Sequence, residues 1–264
     1  EILNQKSKNI IVITEKKNNI LYSVAKKFNL YLIEHKNQIG GRYSVLSEVG
    51  IVPAFLMGIN VLSLRKNLKK YLITKNKEKF FLKESSVNLA NILSNGKIND
   101  LVFLNYEPKL SNFLLWCQQL IAESLGKKEK GFLPVISNAP KDHHSLLQLY
   151  LEGPKNKIFN IFSFKEKKKV KINTKKYTNK INFLHNKDVS IVKEEQKNAL
   201  IQVFKSKKIP FREFTIKNLN EETLGELFSY FMLETIFVGK MLNLNPFDQP
   251  AVEEIKLVTK KLLK

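Results

Sequence analysis

The feature that most constrains the fold is a regular alternation of short β-branched runs with segments of helical spacing. Residues 9–14 (NIIVIT) and 30–34 (LYLIE) are such runs, and apolar residues recur at helical spacing between them. This pattern predicts a β–α–β unit. After a glycine turn, the sequence predicts an apolar, buried helix around 50–62 and a further helix at 86–96 that ends at a glycine.

The same alternation restarts near residue 100. Further strands are predicted at 100–106, 132–137, 157–164 and 210–216, and helices at 111–126, 143–153, 194–206, 219–242 and from about 249. Strands that alternate with helices imply a layered α/β sandwich with a largely parallel sheet. The predicted domains are therefore a partial first domain at 1–100, a second domain at 101–247 and a C-terminal helix at 248–264.

The predicted first domain has only two clear strands, whereas open sheets usually have about 4–6. The chain also begins with Glu1 rather than Met. Both points favour further sequence of this domain upstream of Glu1.

The net charge of the chain limits the kinds of molecule that it is expected to bind. Lys and Arg outnumber Asp and Glu by 45 to 24, a net charge of +21, and nine lysines lie in the Lys-rich block at 165–187. This balance fits a solvated basic surface, a phosphorylated substrate or nucleic acid. Only Tyr177 and Phe183 interleave the block, fewer aromatic rings than single-strand binders use for base stacking. We therefore predict no nucleic-acid partner.

Cysteine content and hydropathy bear on location. Cys117 is the single cysteine, which excludes an internal disulfide and favours a reducing, cytoplasmic compartment. The longest apolar run, at 49–64, is shorter than the ~20 residues of a membrane span. Pro53 and Asn60 also interrupt it. No membrane association is predicted.

A glycine pair precedes a candidate anion-binding arginine. Gly40 and Gly41 permit positive φ and close backbone approach, and Arg42 follows them after the second strand. Open α/β sheets bind ligands at the carboxyl ends of their strands, and a forked guanidinium suits an anionic or enediolate oxygen. The alternative is a tight turn with a surface arginine.

A glutamine and a glutamate lie one turn apart on the predicted helix at 111–126. Gln119 and Glu123 share one face of it. A carboxylate near the C-terminal end of a helix is opposed by the helix dipole, and this suits a general base. The alternative is a glutamate on a solvated helix face.

Two adjacent histidines open the predicted helix at 143–153. His143 and His144 point about 100° apart on a helix, so they cannot chelate one metal ion together. No metal site is predicted. Asp142 is the predicted N-cap, and one histidine is a candidate for proton transfer while the other is solvated.

The end of the chain carries polar residues at regular spacing. Gln249 is the predicted N-cap of a helix that starts at Pro250, and Lys256 lies two turns further on the same face. The apolar face predicted to be buried comprises Val252, Ile255 and Leu257. The alternative is an ordinary amphipathic terminal helix.

Four segments occur together in the order and spacing of one family. They are IGGRYS at 39–44, Q-x3-ESLGK at 119–127, HSLLQLYLEGP at 144–154 and G-x2-L-x-LNPFDQPAVEEIK at 239–256. On these motifs, the chain resembles the C-terminal two-thirds of a compact member of the phosphoglucose isomerase (glucose-6-phosphate isomerase) family. The GGR and FDQ-x-AVE-x2-K segments are the diagnostic motifs of this family.

The resemblance implies a fold and a reaction. The fold is a pair of sugar isomerase (SIS) domains, three-layer sandwiches of mostly parallel sheets flanked by helices, with a C-terminal helix that closes over the active site. The reaction is the reversible conversion of glucose 6-phosphate to fructose 6-phosphate in glycolysis and gluconeogenesis, with no metal and no cofactor. The alternative is a non-catalytic SIS-type module that binds sugar phosphate.

The resemblance also implies a role for each matched residue. Glu123 is the base that moves a proton between C2 and C1 through a cis-enediolate, and Arg42 stabilises that intermediate. His144 helps to open the sugar ring, assisted by Lys256. The residues implied to contact substrate are Gln119, Gln249 and Gly41. The histidine enters from the partner subunit in this family, so a homodimer is implied.

Two segments depart from the family pattern. A Ser/Thr-rich loop that cradles the sugar phosphate at a helix N-terminus should precede the strand at 9–14, and no such loop is present there. The loop is expected upstream of Glu1. The Lys-rich block has no counterpart among the family's motifs and is predicted to be a variable connection.

Overall fold

The computed structural model describes residues 9–73, 77–165, 170–175 and 179–264. Tyr177 and part of the Lys-rich block lie outside the described residues. No helix in the described ranges is long and apolar enough to cross a bilayer.

The chain divides into two compact units. Unit 1 comprises residues 1–82, 220–234 and 247–264, and unit 2 comprises residues 83–219 and 235–246. These limits differ from the predicted domain boundaries at 100 and 247, because long helices continue from one unit into the other. The predicted boundaries stay a prediction.

Unit 1 contains the predicted β–α–β arrangement. Strand β1 (Ile11–Thr14) pairs in parallel with β2 (Tyr31–Glu34), and helix α1 (Ile20–Lys27) connects them. The helix starts where the Asn19 side chain accepts a hydrogen bond from the Tyr22 N–H at 2.9 Å. The predicted strand–helix–strand sequence is confirmed.

The apolar segment that follows is two helices rather than one. Helix α2 (Glu48–Leu56) ends before Gly58, which takes a φ of +80°, and Asn60 caps α3 (Val61–Arg65) by accepting from the Ser63 N–H. The segment is also not buried as predicted. Its exposed apolar side chains are Phe55, Leu56, Met57 and Leu62, each at least 66% accessible.

One glycine in unit 1 permits a close backbone approach. Gly225 lies in the long helix α9 (Glu221–Met241), and a Cβ on it would sit 1.8 Å from the Leu64 carbonyl oxygen of α3. Any side chain there would force the two helices apart.

Unit 1 also contains the terminal helix α10 (Pro250–Leu262), and α4 (Lys77–Ser94) continues from unit 1 into unit 2.

Unit 2 is built on a four-stranded, wholly parallel sheet in the order β4-β3-β5-β6. Its strands are β3 (Asp100–Asn105), β4 (Leu133–Asn138), β5 (Lys157–Phe164) and β6 (Phe211–Ile216). Its helices include α5 (Ser111–Leu125), α6 (Lys141–Ser145), α7 (Leu147–Glu152) and α8 (Val189–Ser206). The predicted α/β fold, with parallel sheets flanked by helices, is confirmed.

The core of unit 2 lies against this sheet. Val102, Phe159 and Ile161 in the two central strands pack with Leu200 and Phe204 from α8, and all are at least 96% buried. Central parallel strands read as near-continuous apolar runs because helices cover both of their faces. This explains why the strands of unit 2 were predicted closely from sequence.

The predicted helix at 143–153 is broken into α6 and α7 at Leu146. Asp142 is not the N-cap, because α6 starts one residue earlier and Pro140 occupies that position. Its carboxylate instead accepts hydrogen bonds from the Asn138 N–H at 2.7 Å and the Ser137 hydroxyl at 3.0 Å. The carboxylate therefore ties α6 to the end of β4.

Candidate functional site

Arg42 is held inside unit 1 by the C-terminal segment. Its guanidinium donates to Gln249 Oε1 at 2.8 Å and to the Asp248 carbonyl oxygen at 2.9 Å, and the residue is 2% exposed. The next residue, Tyr43, packs against Phe247 of the same C-terminal segment, with ring centroids 5.4 Å apart. The GGR and FDQ segments, more than 200 residues apart in sequence, therefore meet around one buried cation.

The glycines before Arg42 do not act as predicted. Gly40 has a φ of −67°, and Gly41 begins a 3-10 helix over Gly41–Leu46, so neither takes the left-handed conformation. Arg42 lies in this 3-10 helix rather than directly at the end of β2, which ends at Glu34. No atom lies within 4 Å of a Cβ built on Gly41, so the backbone there stays accessible.

Gln249 is the N-cap of α10 by position, as predicted, but its side chain makes no capping bond. The amide oxygen is engaged by Arg42 instead. Lys256 is exposed and donates to Glu253 at 2.7 Å, one turn earlier on the same helix.

The predicted burial of the α10 apolar face is wrong. Val252, Ile255 and Leu257 are 41%, 70% and 63% exposed in this chain. Amphipathic spacing reports that a face is apolar, but it does not reveal which surface covers it. The closure of an active site by this helix stays a prediction.

Gln119 and Glu123 meet on α5 of unit 2. The Gln119 amide donates to Glu123 Oε1 at 2.9 Å, and Glu123 is half-buried while Gln119 is exposed. At the C-terminal end of the same helix, the Lys127 ammonium donates to the Asn245 carbonyl oxygen, within the LNPFDQ motif. The segment at 239–256 thus contacts one family motif in unit 2, through Asn245, and another in unit 1, through Asp248 and Gln249.

The adjacent histidines differ in environment. His144 is exposed, whereas His143 is half-buried and its Nε2 lies 2.7 Å from the Tyr106 hydroxyl oxygen. Burial lowers the pKa of His143, although Asp142 opposes this shift, and burial raises the pKa of the Tyr106 phenol. Both groups are therefore kept neutral at neutral pH, which suits a fixed hydrogen bond between them.

The predicted site residues fall into two groups. Arg42, Gly41, Gln249 and Lys256 belong to unit 1, and Gln119, Glu123 and His144 belong to unit 2. Sequence reasoning left His143 without a role and missed its contact with Tyr106. The two residues are 37 positions apart in sequence, and nothing in the sequence indicates that they are close, because the contact depends on how the fold places the end of β3 beside α6.

Among the described residues, no group of three or more His, Cys, Asp and Glu side chains stands close enough to hold a metal ion.

The fold and these side chains define a class: an α/β protein with parallel sheets that carries a buried arginine and a half-buried glutamate on a helix. A family model described as phosphoglucose isomerase matches residues 6–264. The chain belongs to the phosphoglucose isomerase family, as the sequence motifs predict.

Relatives of known name agree with this placement. The chain is 32% identical to a glucose-6-phosphate isomerase of Mycoplasmopsis synoviae, over 97% of this chain and 62% of the relative. It is 30% identical to that of Methanocaldococcus jannaschii, over 91% of this chain and 60% of the relative. The chain thus spans about three-fifths of the length of these curated relatives.

Solved structures share the fold. A hypothetical protein from Thermus thermophilus superposes with a TM-score of 0.84 and 26% identity, over 96% of this chain and 62% of the other. A glucose-6-phosphate isomerase from Chlamydia trachomatis gives a TM-score of 0.73 at 17% identity, over 96% of this chain and 52% of the other. At that identity the second likeness concerns the fold alone.

Proposed function

We propose that the full-length protein carrying this chain interconverts glucose 6-phosphate and fructose 6-phosphate, a step of glycolysis and gluconeogenesis. The observation that carries the proposal is the Arg42 arrangement, in which two family motifs hold one buried guanidinium through Gln249 and the Asp248 carbonyl. The family match over residues 6–264 supports it. The names of the relatives from M. synoviae and M. jannaschii support it further.

The central step is a proton transfer between adjacent carbons. Glu123 removes the proton from C2 of the open-chain aldose and returns it to C1, and a cis-enediolate forms in between. Its half-buried carboxylate, hydrogen-bonded to Gln119, is accessible to a substrate. Arg42 stabilises the negative oxygen of the intermediate, for which a guanidinium already fixed by neighbouring acceptors requires little reorganisation.

Ring opening precedes this transfer. His144 moves a proton at the ring oxygen with Lys256 assisting at the same end of the substrate, and His144 is supplied by the partner copy of a homodimer. Both side chains are exposed in the single chain, which leaves them accessible to a substrate. The proposed substrate contacts are Gln119, Gln249 and Gly41. The enzyme is proposed to be cytoplasmic and to act without a cofactor, a membrane or nucleic acid.

The proposal is tested with Glu123→Gln in the full-length protein. The amide keeps the shape of the side chain but cannot accept the proton, so kcat should fall about 10²–10⁴-fold while substrate binding persists. The matched control is Glu195→Gln, which makes the same change on an exposed face of α8 and should leave kcat within twofold. Both are measured by coupled assay and by substrate titration calorimetry.

Two outcomes would contradict the proposal. Turnover of Glu123→Gln close to that of the wild type would remove the assigned base. Tight binding of glucose 6-phosphate by the wild-type protein without any turnover would favour the non-catalytic sugar-phosphate-binding module.

A further inference from the structure

A cavity opens in unit 2 at the carboxyl edge of the parallel sheet. Its volume is about 610 Å³, within the range of small-molecule sites. Residues at or just after the ends of three strands line it: Tyr106 after β3, Lys165 after β5 and Lys217 after β6. The first turns of α8 close another side. None of the residues with a proposed role in isomerisation is among its lining.

The position of the cavity in the sheet is that of a ligand site. In the order β4-β3-β5-β6, the chain leaves β3 toward β4 and leaves β5 toward β6, in opposite directions across the sheet. Right-handed crossovers then place the following helices on opposite faces, which opens a crevice between the ends of β3 and β5. Open α/β sheets bind ligands in this crevice. Tyr106 and Lys165 line the cavity on its two sides.

The charge of the residues that line the cavity favours an anionic ligand. Among the described residues, five lysines and two acidic residues, Asp188 and Glu194, line the cavity, so this part of the lining carries an excess of positive charge. The lysines are Lys165, Lys171, Lys193, Lys197 and Lys217. Three hydroxyl groups also line the cavity, but those of Ser190 and Thr215 already donate to Asp188 and Glu213, and that of Ser163 accepts from Lys197. Ammonium groups that converge on one cavity suit a compact anion with several acceptor oxygens, as phosphate has.

The floor of the cavity is fixed by buried polar contacts. Lys197 is only 7% exposed, and its ammonium donates to Glu213 Oε1 at 2.8 Å and to the Ser163 hydroxyl at 3.4 Å. The N-terminus of α8 is already capped, because Asp188 accepts from the Ser190 N–H at 2.9 Å. An incoming anion would therefore be held by the lysines rather than by helix amides.

We propose that this cavity binds a small phosphorylated metabolite, through its lysines, at a site additional to that of the proposed isomerisation. Lys165 and Lys217 are the exposed cations that follow two neighbouring strands, and they would neutralise the phosphate at the mouth of the cavity. Inorganic phosphate, a nucleotide and a sugar phosphate all present this group, and the probes of the test distinguish them.

The test is titration calorimetry on the full-length protein with inorganic phosphate, AMP and ribose 5-phosphate as separate probes. At least one probe should bind to the wild type, and Lys165→Ala/Lys217→Ala should weaken that binding at least tenfold. The matched control, Lys97→Ala/Lys205→Ala, removes the same charge from exposed positions outside the cavity lining and should change it less than twofold. The probe that binds most tightly identifies the source of the phosphate.

A second variant tests the shape of the site. Thr215→Phe adds a ring to the cavity lining without altering charge, so it should abolish the same binding. Arg42→Ala should leave it unchanged, because Arg42 is not part of the lining. Absence of binding for all three probes would overturn the proposal. So would equal losses in both lysine pairs, or binding that persists in both Lys165→Ala/Lys217→Ala and Thr215→Phe.

Discussion

Arg42 in unit 1 and Glu123 in unit 2 are held in opposite ways. Arg42 is 2% exposed and is bonded to residues more than 200 positions away in sequence. Glu123 is half-buried, and its hydrogen bond with Gln119 comes from the preceding turn of its own helix. One charge is thus fixed by the tertiary fold, and the other is placed by a helix.

The difference matches what the two proposed roles require. A group that stabilises developing charge works best when its dipoles are oriented before the reaction, since no energy is then spent on reorganisation. A general base must instead reach its proton and give it up again, which requires access. If the proposed roles hold, the fold of unit 1 supplies the preorganised charge of Arg42, and α5 of unit 2 supplies an accessible base.

The strongest test of this comparison is Arg42→Lys in the full-length protein. Lysine keeps the charge but cannot donate in a fork to both Gln249 and the Asp248 carbonyl. We expect kcat to fall about 10²–10³-fold, the scale of losing one preorganised donor to an oxyanion. Steady-state assays in both directions measure this.

Arg65→Lys is the control for that prediction. It makes the same change at an exposed arginine of unit 1 and should leave kcat within twofold. If Arg42→Lys turned over as fast as the control, positive charge alone would suffice and the contrast between a fixed and an accessible group would fail.

Substitutions of two glutamines test the same comparison by their effects on the free energy of unfolding. Gln249→Ala removes an acceptor from a buried guanidinium, and it should lower the free energy of unfolding by about 1–3 kcal/mol. Gln119→Ala removes an exposed bond between neighbouring turns, and it should cost less than about 0.5 kcal/mol. Urea unfolding of the chain measures both values. Similar losses in the two variants would show that the Arg42 contact is no more firmly held than the helix pair.

Sequence reasoning succeeded where the signal is local. The strands of unit 2 were predicted within a residue or two, because buried parallel strands read as apolar runs. The helix that ends near Gly96 was predicted from its glycine, which takes a φ of +64°. The placement of Gln119 and Glu123 on one face of a helix was predicted from one-turn spacing, and the structure adds the hydrogen bond between them.

The sequence was silent where a feature depends on the fold. Helical periodicity could not reveal that the apolar face of α10 is exposed in this chain, because the pattern does not identify its covering surface. Spacing alone also could not bring Arg42 to Gln249. The family motifs identified both residues as site residues, but only the structure shows the hydrogen bond between them. The cavity beside α8 was missed because its lysines come from four separate segments.

The smallest expected effect is on the pH dependence of stability, and it compares the half-buried His143 with the exposed His144. Burial lowers the pKa of His143, so the unfolded chain takes up a proton at a higher pH than the folded chain. Stability should be full above the ordinary histidine pKa of about 6.5 and should decline as the pH falls below it. In His143→Gln this decline between about pH 7 and pH 5 should be shallower, whereas His144→Gln, at an exposed position, should follow the wild type. Thermal unfolding midpoints across that range measure the slopes. A slope unchanged in His143→Gln would contradict the lowering of the His143 pKa by burial.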